Sequence, residues 1–449
     1  MASKQNPRHK IYGIVSEVAE KYHFTPLSEG PAGSGKMHSN LVLMTLTYLL
    51  DRNHILAGEP GWGKTTVAKI LASKLSGLPY DLYDAVEMRG NPQKYEEKIV
   101  ARPDYGALAQ GQERVRWQGS FGSDVLIGDE INRLSLDAQD AILQGLETHR
   151  WNYLNATLFE GKKPAFFTMN ERTGNHEVGL LPALRDRMDI QTEEGFFTTM
   201  VLFDYKDAKS RVTANLCRPD FTQSALDALA IDYAKFKGTL QQRLVQGYLT
   251  HEEKADIQGH IRSLELDNDA MLFLQAAMAE INHSVQYGSK RASDPISTDT
   301  HDQSHAGIYV KNSFSPRTAM AAEDYAKGLA WFLGSAKASL DQVLYVLPYV
   351  FVPKAVFTDD YAHRHGNDVR QTSMAMHLAT TLMREIHARY VTSVQPMKNL
   401  IAKIQIAKIQ SGALSESERK KLDPNQYDHP LMKDLIIAAK EDGEKAFYE

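Results

Sequence analysis

The sequence predicts an α/β fold with a parallel sheet, followed by a largely helical second half. Three observations carry this. Short apolar runs at 54–57, 125–128 and 165–169 have the length and composition of strands buried on both faces. The first run enters a glycine-rich loop that is followed by a helical pattern, and the second and third end in Asp129-Glu130 and Asn170, where open α/β sheets place their chemistry. From about Glu194 the apolar spacing is helical.

Composition bounds the reading. A chain of 449 residues with 43% hydrophobic content buries a substantial core and exceeds one compact domain, so two or three domains are expected. The net charge of −5 speaks against a nucleic-acid binder held by a broad basic face. A single cysteine, Cys217, rules out an intrachain disulfide framework and suits a reducing compartment. The longest apolar stretches, 41–50 and 343–357, are too short or too broken by proline to span a bilayer. The N-terminus is polar and basic with no apolar core behind it, so no membrane span and a cytoplasmic location are expected.

Residues 1–40 give an amphipathic start over 11–22 and a Gly/Pro/Ser-rich lead. Within that lead, Gly30-Pro31-Ala32-Gly33-Ser34-Gly35-Lys36 imitates a phosphate loop, but Met37 stands where a hydroxyl is needed and Pro26 breaks any preceding strand. The stretch Gly58-Glu59-Pro60-Gly61-Trp62-Gly63-Lys64-Thr65-Thr66 fits G-x-x-x-x-G-K-[ST] in the right surroundings. Its glycines let backbone N–H groups face a β-phosphate, Lys64 supplies a point charge, and Thr65 offers an oxygen to Mg²⁺. The helix expected over 65–76, with Val67, Ile70, Leu71 and Leu75 on one face and Gly77 as C-cap, aims its positive end at the phosphates.

Residues 80–86 read as the second strand. The polar, Gly- and Pro-punctuated segment 88–122, with an alternating piece at Arg114-Val115-Arg116-Trp117, reads as an inserted hairpin or loop system. At the end of the 125–128 strand, Asp129 would hold Mg²⁺ through its water shell and Glu130 would polarise the attacking water. Ser135 caps a helix lined by Leu136, Ile142, Leu143 and Leu146. Asn170 is placed to orient a water or touch the γ-phosphate. The short helix over 180–188 carries Arg185 and Arg187, either solvated charges or a finger reaching a neighbouring subunit's γ-phosphate.

Helical spacing continues at 223–237, 251–263 and 269–285, and Ser315-Pro316-Arg317 opens a further helix to about Leu333. The Ser/Thr/Asp/His/Gly-rich stretch 284–314 is expected to be mobile, and the tail from about 370 to be helical. His363-Arg364-His365 with Asp359 and Asp360 lacks further metal ligands at a recognisable spacing.

The ordered set resembles the AAA+ ATPases, and more narrowly the MoxR family of the helix-2-insert clade. Asp129-Glu130-Ile131-Asn132-Arg133, followed by a helix with Gln144, Gly145, Leu146 and Glu147, is similar to that family's extended Walker B region, and Ser315-Pro316-Arg317 to its sensor 2 motif. The resemblance covers about 40–355. It implies a five-stranded parallel-sheet P-loop domain with a separate all-helical lid, to which this chain adds a helical C-terminal extension. The expected segments are 1–40, a nucleotide-binding domain at 41–200, a lid at 201–355 and the extension at 356–449.

By residue, the resemblance places Lys64 and Thr65 in Walker A, Asp129 and Glu130 in Walker B and Asn170 at sensor 1. Arg187 takes the finger position, in Arg-Asp-Arg-Met where the family has L-D-R-F, with Arg185 as the alternative, and Arg317 takes sensor 2. It further implies ATP and Mg²⁺ as cofactors, a homo-oligomeric ring, most often a hexamer, and a protein client that is remodelled, activated or assembled. Such clients commonly contain a von Willebrand A domain; no D-x-S-x-S motif occurs here, so that domain would lie on another chain. A nucleic-acid motor and a nucleotide-dependent scaffold with incidental turnover are the alternatives.

Overall fold

The structure is a computed structural model describing residues 7–23, 27–91, 99–170, 179–194, 199–284, 288–290, 305–366, 372–411, 417 and 422–445. The chain forms two compact units, one comprising 1–265, 323–338 and 371–373, the other 266–322, 339–370 and 374–449.

The first unit is organised by a five-stranded parallel sheet: β1 (Asn53–Ala57), β2 (Met88–Arg89), β3 (Leu126–Asp129), β4 (Ala165–Met169) and β5 (Ile190–Glu193), in the order β5-β1-β4-β3-β2. Ile55, Leu56, Leu126, Phe166, Phe167 and Ile190 are buried, which is why these strands read as continuous apolar runs. The register sets Met169 of β4 opposite Ala57 of β1, and Phe167 opposite Gly128 of β3. The segments leaving β1, β3 and β4 therefore emerge side by side at the carboxyl edge. This α/β architecture, continued by helices, is the one the sequence predicts.

The helix after β1 runs Lys64–Ser76, bounded by Gly63 and Gly77 in the left-handed region, with Gly77 N–H closing on Ser73 O at 2.9 Å. The expected strand at 80–86 is instead a helix, Tyr80–Val86, and the sheet's second strand is the two-residue β2. Leu82, Tyr83 and Val86 are buried and lie on one face of a 3.6-residue period; in so short a segment that spacing imitates a strand. Upstream, helix Pro7–Glu17 and the π-helical turn Val18–Tyr22 bury Ile11, Ile14, Val15, Val18 and Tyr22. The imitation loop Gly30 to Lys36 closes a short hairpin between Ser28–Glu29 and Lys36–Met37.

Residues 92–98 of the expected insert lie outside the described residues. Its first residues, Met88 and Arg89, belong to the parallel sheet as β2 rather than to an insert, because they pair with Gly128 and Asp129 of β3; 99–122 centres on a hairpin of Ala101–Pro103 with Val115–Trp117, rooted by buried Ile99, Val100 and Phe121 and exposing Tyr105 and Leu108. A second hairpin, Arg150–Tyr153 with Ala156–Phe159, was not expected. Trp151 and Tyr153 point inward while Leu154 and Phe159 are exposed, and Asn155 Nδ2 donates to Glu113 Oε2 of the first hairpin at 2.8 Å. Within β1, burial pushes the His54 imidazole down to about 3, so it stays neutral while bridging Thr47 and Thr192, each at 2.8 Å.

The second unit is helical: Asn268–Asn282, the start of Pro316–Leu333, Leu340–Phe351, Asp359–His365, Met374–Ser411 and Pro430–Lys445. Its hub is Glu280, fully buried and held by Arg389 Nε at 2.9 Å, His429 Nε2 at 3.1 Å and the Ala306 N–H at 3.1 Å. A buried carboxylate needs such partners, and these tie three helical segments together. Most of the expected mobile stretch, 285–287 and 291–304, lies outside the described residues. No helix among the described residues is long and apolar enough to cross a membrane.

Candidate functional site

The loop leaving β1 curls because Gly58, Gly61 and Gly63 adopt φ of 142°, 85° and 77°, values open to glycine at little cost. Space enforces the same choice. A Cβ at Gly58 would lie 3.2 Å from Glu194 O and 3.4 Å from the Trp62 ring, which rests against the loop, and one at Gly63 would lie 3.3 Å from His23 Cε1. His23 and Glu194 form a buried pair at 3.0 Å beneath the loop, so the N-terminal segment and the end of β5 both brace it. The buried Lys64 ammonium donates to Gly58 O at 2.8 Å, Glu59 O at 2.8 Å and Asn170 Oδ1 at 3.0 Å. Glu59, Pro60, Thr65 and Thr66 complete the loop and the first turn of its helix, whose N-terminus suits an anion.

Beside it, Thr65 Oγ1 donates to Asp129 Oδ1, and Thr168 Oγ1 donates to the same oxygen at 2.6 Å. Thr168 also accepts the Glu130 N–H at 2.9 Å. It is fully buried one residue before the end of β4 and fixes both acidic residues at once. Sequence reasoning missed it, since a threonine in an apolar strand looks like ordinary β-composition. Its signal was register, because Thr168 lies beside Asp129 once Phe167 is paired with Gly128. Glu130 occupies the left-handed region at φ 50°, a costly conformation for a non-glycine residue and one that clusters at functional positions. Asn170 Nδ2 reaches Glu130 Oε1 at 2.8 Å, so Lys64, Asn170 and Glu130 form one chain of contacts. Arg133, which the sequence offers only as the end of the Asp129-to-Arg133 run and with no role of its own, pairs with Glu130 Oε2 at 2.6 Å.

Arg187 does not join this network. Its guanidinium donates to Glu147 Oε1 at 2.5 Å and Ala183 O at 3.3 Å. Arg185 is half-buried, with no ion-pair partner among the described residues, and burial lowers its pKa. Arg317 lies exposed in the first turn of Pro316–Leu333, in the helical unit.

The donor set suits Mg²⁺, a hard cation that takes oxygen ligands: the Thr65 hydroxyl and the Asp129 carboxylate converge beside the phosphate loop. Thr168→Val keeps the shape while removing one of the two hydroxyl bonds to Asp129 Oδ1, and leaves the half-buried Glu130 N–H without its acceptor. The expected outcome is a loss of about 10- to 100-fold in Mg²⁺ affinity, read as the Mg²⁺ midpoint of fluorescent-nucleotide binding, which does not depend on the Glu130 chemistry. An unchanged Mg²⁺ midpoint would show that Thr168 does not orient the ligand.

The carboxyl edge of this sheet presents the machinery of a phosphate-loop nucleotide hydrolase, and the strand order with its helical continuation makes this an AAA+ ATPase domain. Residues 53–188 match the family model described as AAA domain (dynein-related subfamily). Among curated proteins the chain is 30% identical over 151 residues to a Lon protease of Flavobacterium johnsoniae, covering 31% of this chain and 17% of that protein. It is also 30% identical over 149 residues to the Holliday junction branch migration complex subunit RuvB of Nocardioides sp., covering 32% of this chain and 35% of that one. The chain thus spans about a third or less of these relatives' lengths. A solved structure, described as a candidate ATPase from Cytophaga hutchinsonii, superposes with a TM-score of 0.54 at 14% identity, over 82% of this chain and 96% of that one. That likeness concerns the fold.

Proposed function

We propose that this protein is a MoxR-like AAA+ ATPase that assembles into a homo-oligomeric ring, of hexameric form by resemblance, and hydrolyses ATP between subunits to remodel, activate or assemble a protein client. The observation supporting it most directly is the continuous contact chain from Lys64 through Asn170 to Glu130, beside the Thr65–Asp129 pair. In this reading the loop N–H groups and Lys64 hold the β- and γ-phosphates. Thr65 and Asp129 hold Mg²⁺, which supplies charge neutralisation between the phosphates when bound. Glu130 accepts a proton from the attacking water, and Asn170 holds both that carboxylate and the lysine in register with the γ-phosphate. Arg187 of one subunit serves its neighbour's nucleotide, and Arg317 acts from the helical lid.

The two hairpins are the candidate client-gripping elements. Tyr105, Leu108, Leu154 and Phe159 give them an exposed apolar character, and the Asn155–Glu113 bond joins them. An intersubunit site makes turnover depend on assembly. Specific ATPase activity is therefore expected to fall steeply on dilution, in step with loss of the ring measured by sedimentation velocity. Constant specific activity carried into the monomeric range would defeat the ring reading.

A further inference from the structure

The helix Pro182–Arg187, which carries both candidate finger arginines, is held differently at its two ends. At its exit, Asn53 Nδ2 donates to Arg187 O at 2.9 Å, and the Asn53 N–H donates to Asp189 Oδ2 at 2.9 Å. Asn53 is the first residue of β1, so this end is tied to the sheet edge opposite the one that carries Gly58 to Thr66. Arg187 therefore lies away from its own phosphate loop. At the start of the helix, Leu181 occupies the N-cap position and offers no side-chain cap. The backbone there is held by one side chain, Gln139.

Gln139 stands in the first turn of helix Leu136–Thr148, shortly after the run Asp129 to Arg133, and is fully buried. On that helix Ala138 and Ile142 share one apolar cluster with Leu184 and Met188, and an amide buried beside such a cluster is costly unless its polar atoms are paired. Both are. Nε2 donates to Leu134 O at 3.1 Å and to Gly179 O at 2.7 Å, while Oε1 accepts the Leu181 N–H at 2.9 Å. Among the described residues no other side chain bonds to the backbone of 179–181. The apolar cluster supplies adhesion without direction, and a helix of six residues could roll or slide on it. The Gln139 bonds are directional and select one register. Two turns further along the same supporting helix, Glu147 meets Arg187 at 2.5 Å, so one helix places both the start and the end of the arginine helix.

We propose that Gln139 is a positioning residue for the neighbouring subunit's reaction: it fixes the register of the helix that presents Arg187, and its loss slows hydrolysis at the neighbour's site while its own site stays competent. The proposal rests on Arg187 serving a neighbour's nucleotide. Misplacing a reacting group by about 1 Å costs on the order of 10²-fold in rate, so a buried amide far from either nucleotide can govern this step. Nucleotide binding is untouched, because Gln139 makes no bond to the loop, Lys64, Thr65 or Asp129 among the described residues. The bond to Leu134 O offers a competing route, from Gln139 back to its own subunit's Asp129-to-Arg133 run, and the test separates the two.

The test uses full chains at concentrations where they are assembled. Gln139→Met keeps the length and removes all three bonds. Gln139→Asn keeps the amide one methylene short of its partners, and serves if the methionine protein does not fold. Rings of either variant are expected to hydrolyse ATP about 10- to 100-fold more slowly than wild type, with fluorescent-nucleotide affinity within about two-fold. Mixed with Glu130→Gln subunits they are expected to regain activity, because each Glu130→Gln subunit presents a well-placed Arg187 to an intact Glu130. Mixed with Arg187→Ala subunits they are expected to reach no more than the average of the two, because no subunit then presents a placed arginine.

An unchanged kcat overturns the proposal. So does the reverse pattern, recovery with Arg187→Ala and none with Glu130→Gln, which would put the defect in the variant's own site. Recovery with neither partner, in a variant that binds nucleotide and sediments as a ring, overturns it as well, since Gln139 would then serve the fold alone. Failure of the finger reading shows separately, as absence of recovery when Arg187→Ala and Glu130→Gln subunits are mixed with each other, a mixture that contains no Gln139 variant.

Discussion

Glu130→Gln is expected to lower steady-state ATP hydrolysis by about 10²- to 10⁴-fold, the contribution of a positioned general base, the role proposed for Glu130. Glutamine has the same length and shape, and its carbonyl oxygen still accepts from Asn170 Nδ2, now 2.8 Å from Glu130 Oε1. Its amide cannot take a proton from water. Nucleotide affinity is expected to stay within a few-fold, since Lys64, the loop glycines, Thr65 and Asp129 are untouched. Equilibrium binding of a fluorescent ATP analogue and single-turnover hydrolysis separate the two effects. Turnover within about tenfold of wild type would mean that another group accepts the proton. A protein that binds ATP without consuming it is also the form in which a client would accumulate on the ring, so the same variant serves for capture.

The parts of this site legible in the sequence are those whose chemistry is written in consecutive residues. Gly58 to Thr66 and Asp129-Glu130 declare themselves because the backbone conformations and ligand oxygens they need come from neighbouring positions. Asn170 was legible by its place at a strand end. Thr168 was not, and Arg133 was legible only as the end of the Asp129-to-Arg133 run, not in its contact with Glu130. Thr168 acts across two strands, and its partner is set by sheet register rather than by spacing along the chain. Arg133 depends on the left-handed turn at Glu130, which no local residue preference announces.

At the level of fold, the strands entering the site were recognisable because burial on both faces demands unbroken apolar runs. The segment 80–86 misled because it is short. Three buried residues in seven satisfy a strand as readily as a two-turn helix, and the choice was made by packing. The hairpin at 150–159 does carry a sequence signal: Arg150-Trp151-Asn152-Tyr153 alternates with period two, and of these four only Trp151 and Tyr153 are buried.

Arg187→Ala is expected to reduce hydrolysis by the assembled ring about 10³-fold or more, the range associated with an arginine finger. Within its own chain Arg187 bonds to Glu147, whose side chain is 44% exposed. The Arg187 side chain is itself only 19% exposed, but the partner carboxylate is open to water and screened, so a neighbour's γ-phosphate, carrying more charge and fixed in place, would compete for the guanidinium. The prediction gains force from mixing. Rings made wholly of Arg187→Ala or wholly of Glu130→Gln subunits should both be inactive, yet rings combining the two should recover part of the activity. At some interfaces the intact Arg187 of a Glu130→Gln subunit faces the intact Glu130 of an Arg187→Ala subunit. Recovery should follow the binomial frequency of that interface as the mixing ratio is varied. If Arg187→Ala rings hydrolyse at the wild-type rate, or if mixing restores nothing, the guanidinium acts within its own subunit or not at all. Arg185, two residues earlier and without an ion-pair partner among the described residues, would then be the first side chain to test in the same mixing experiment.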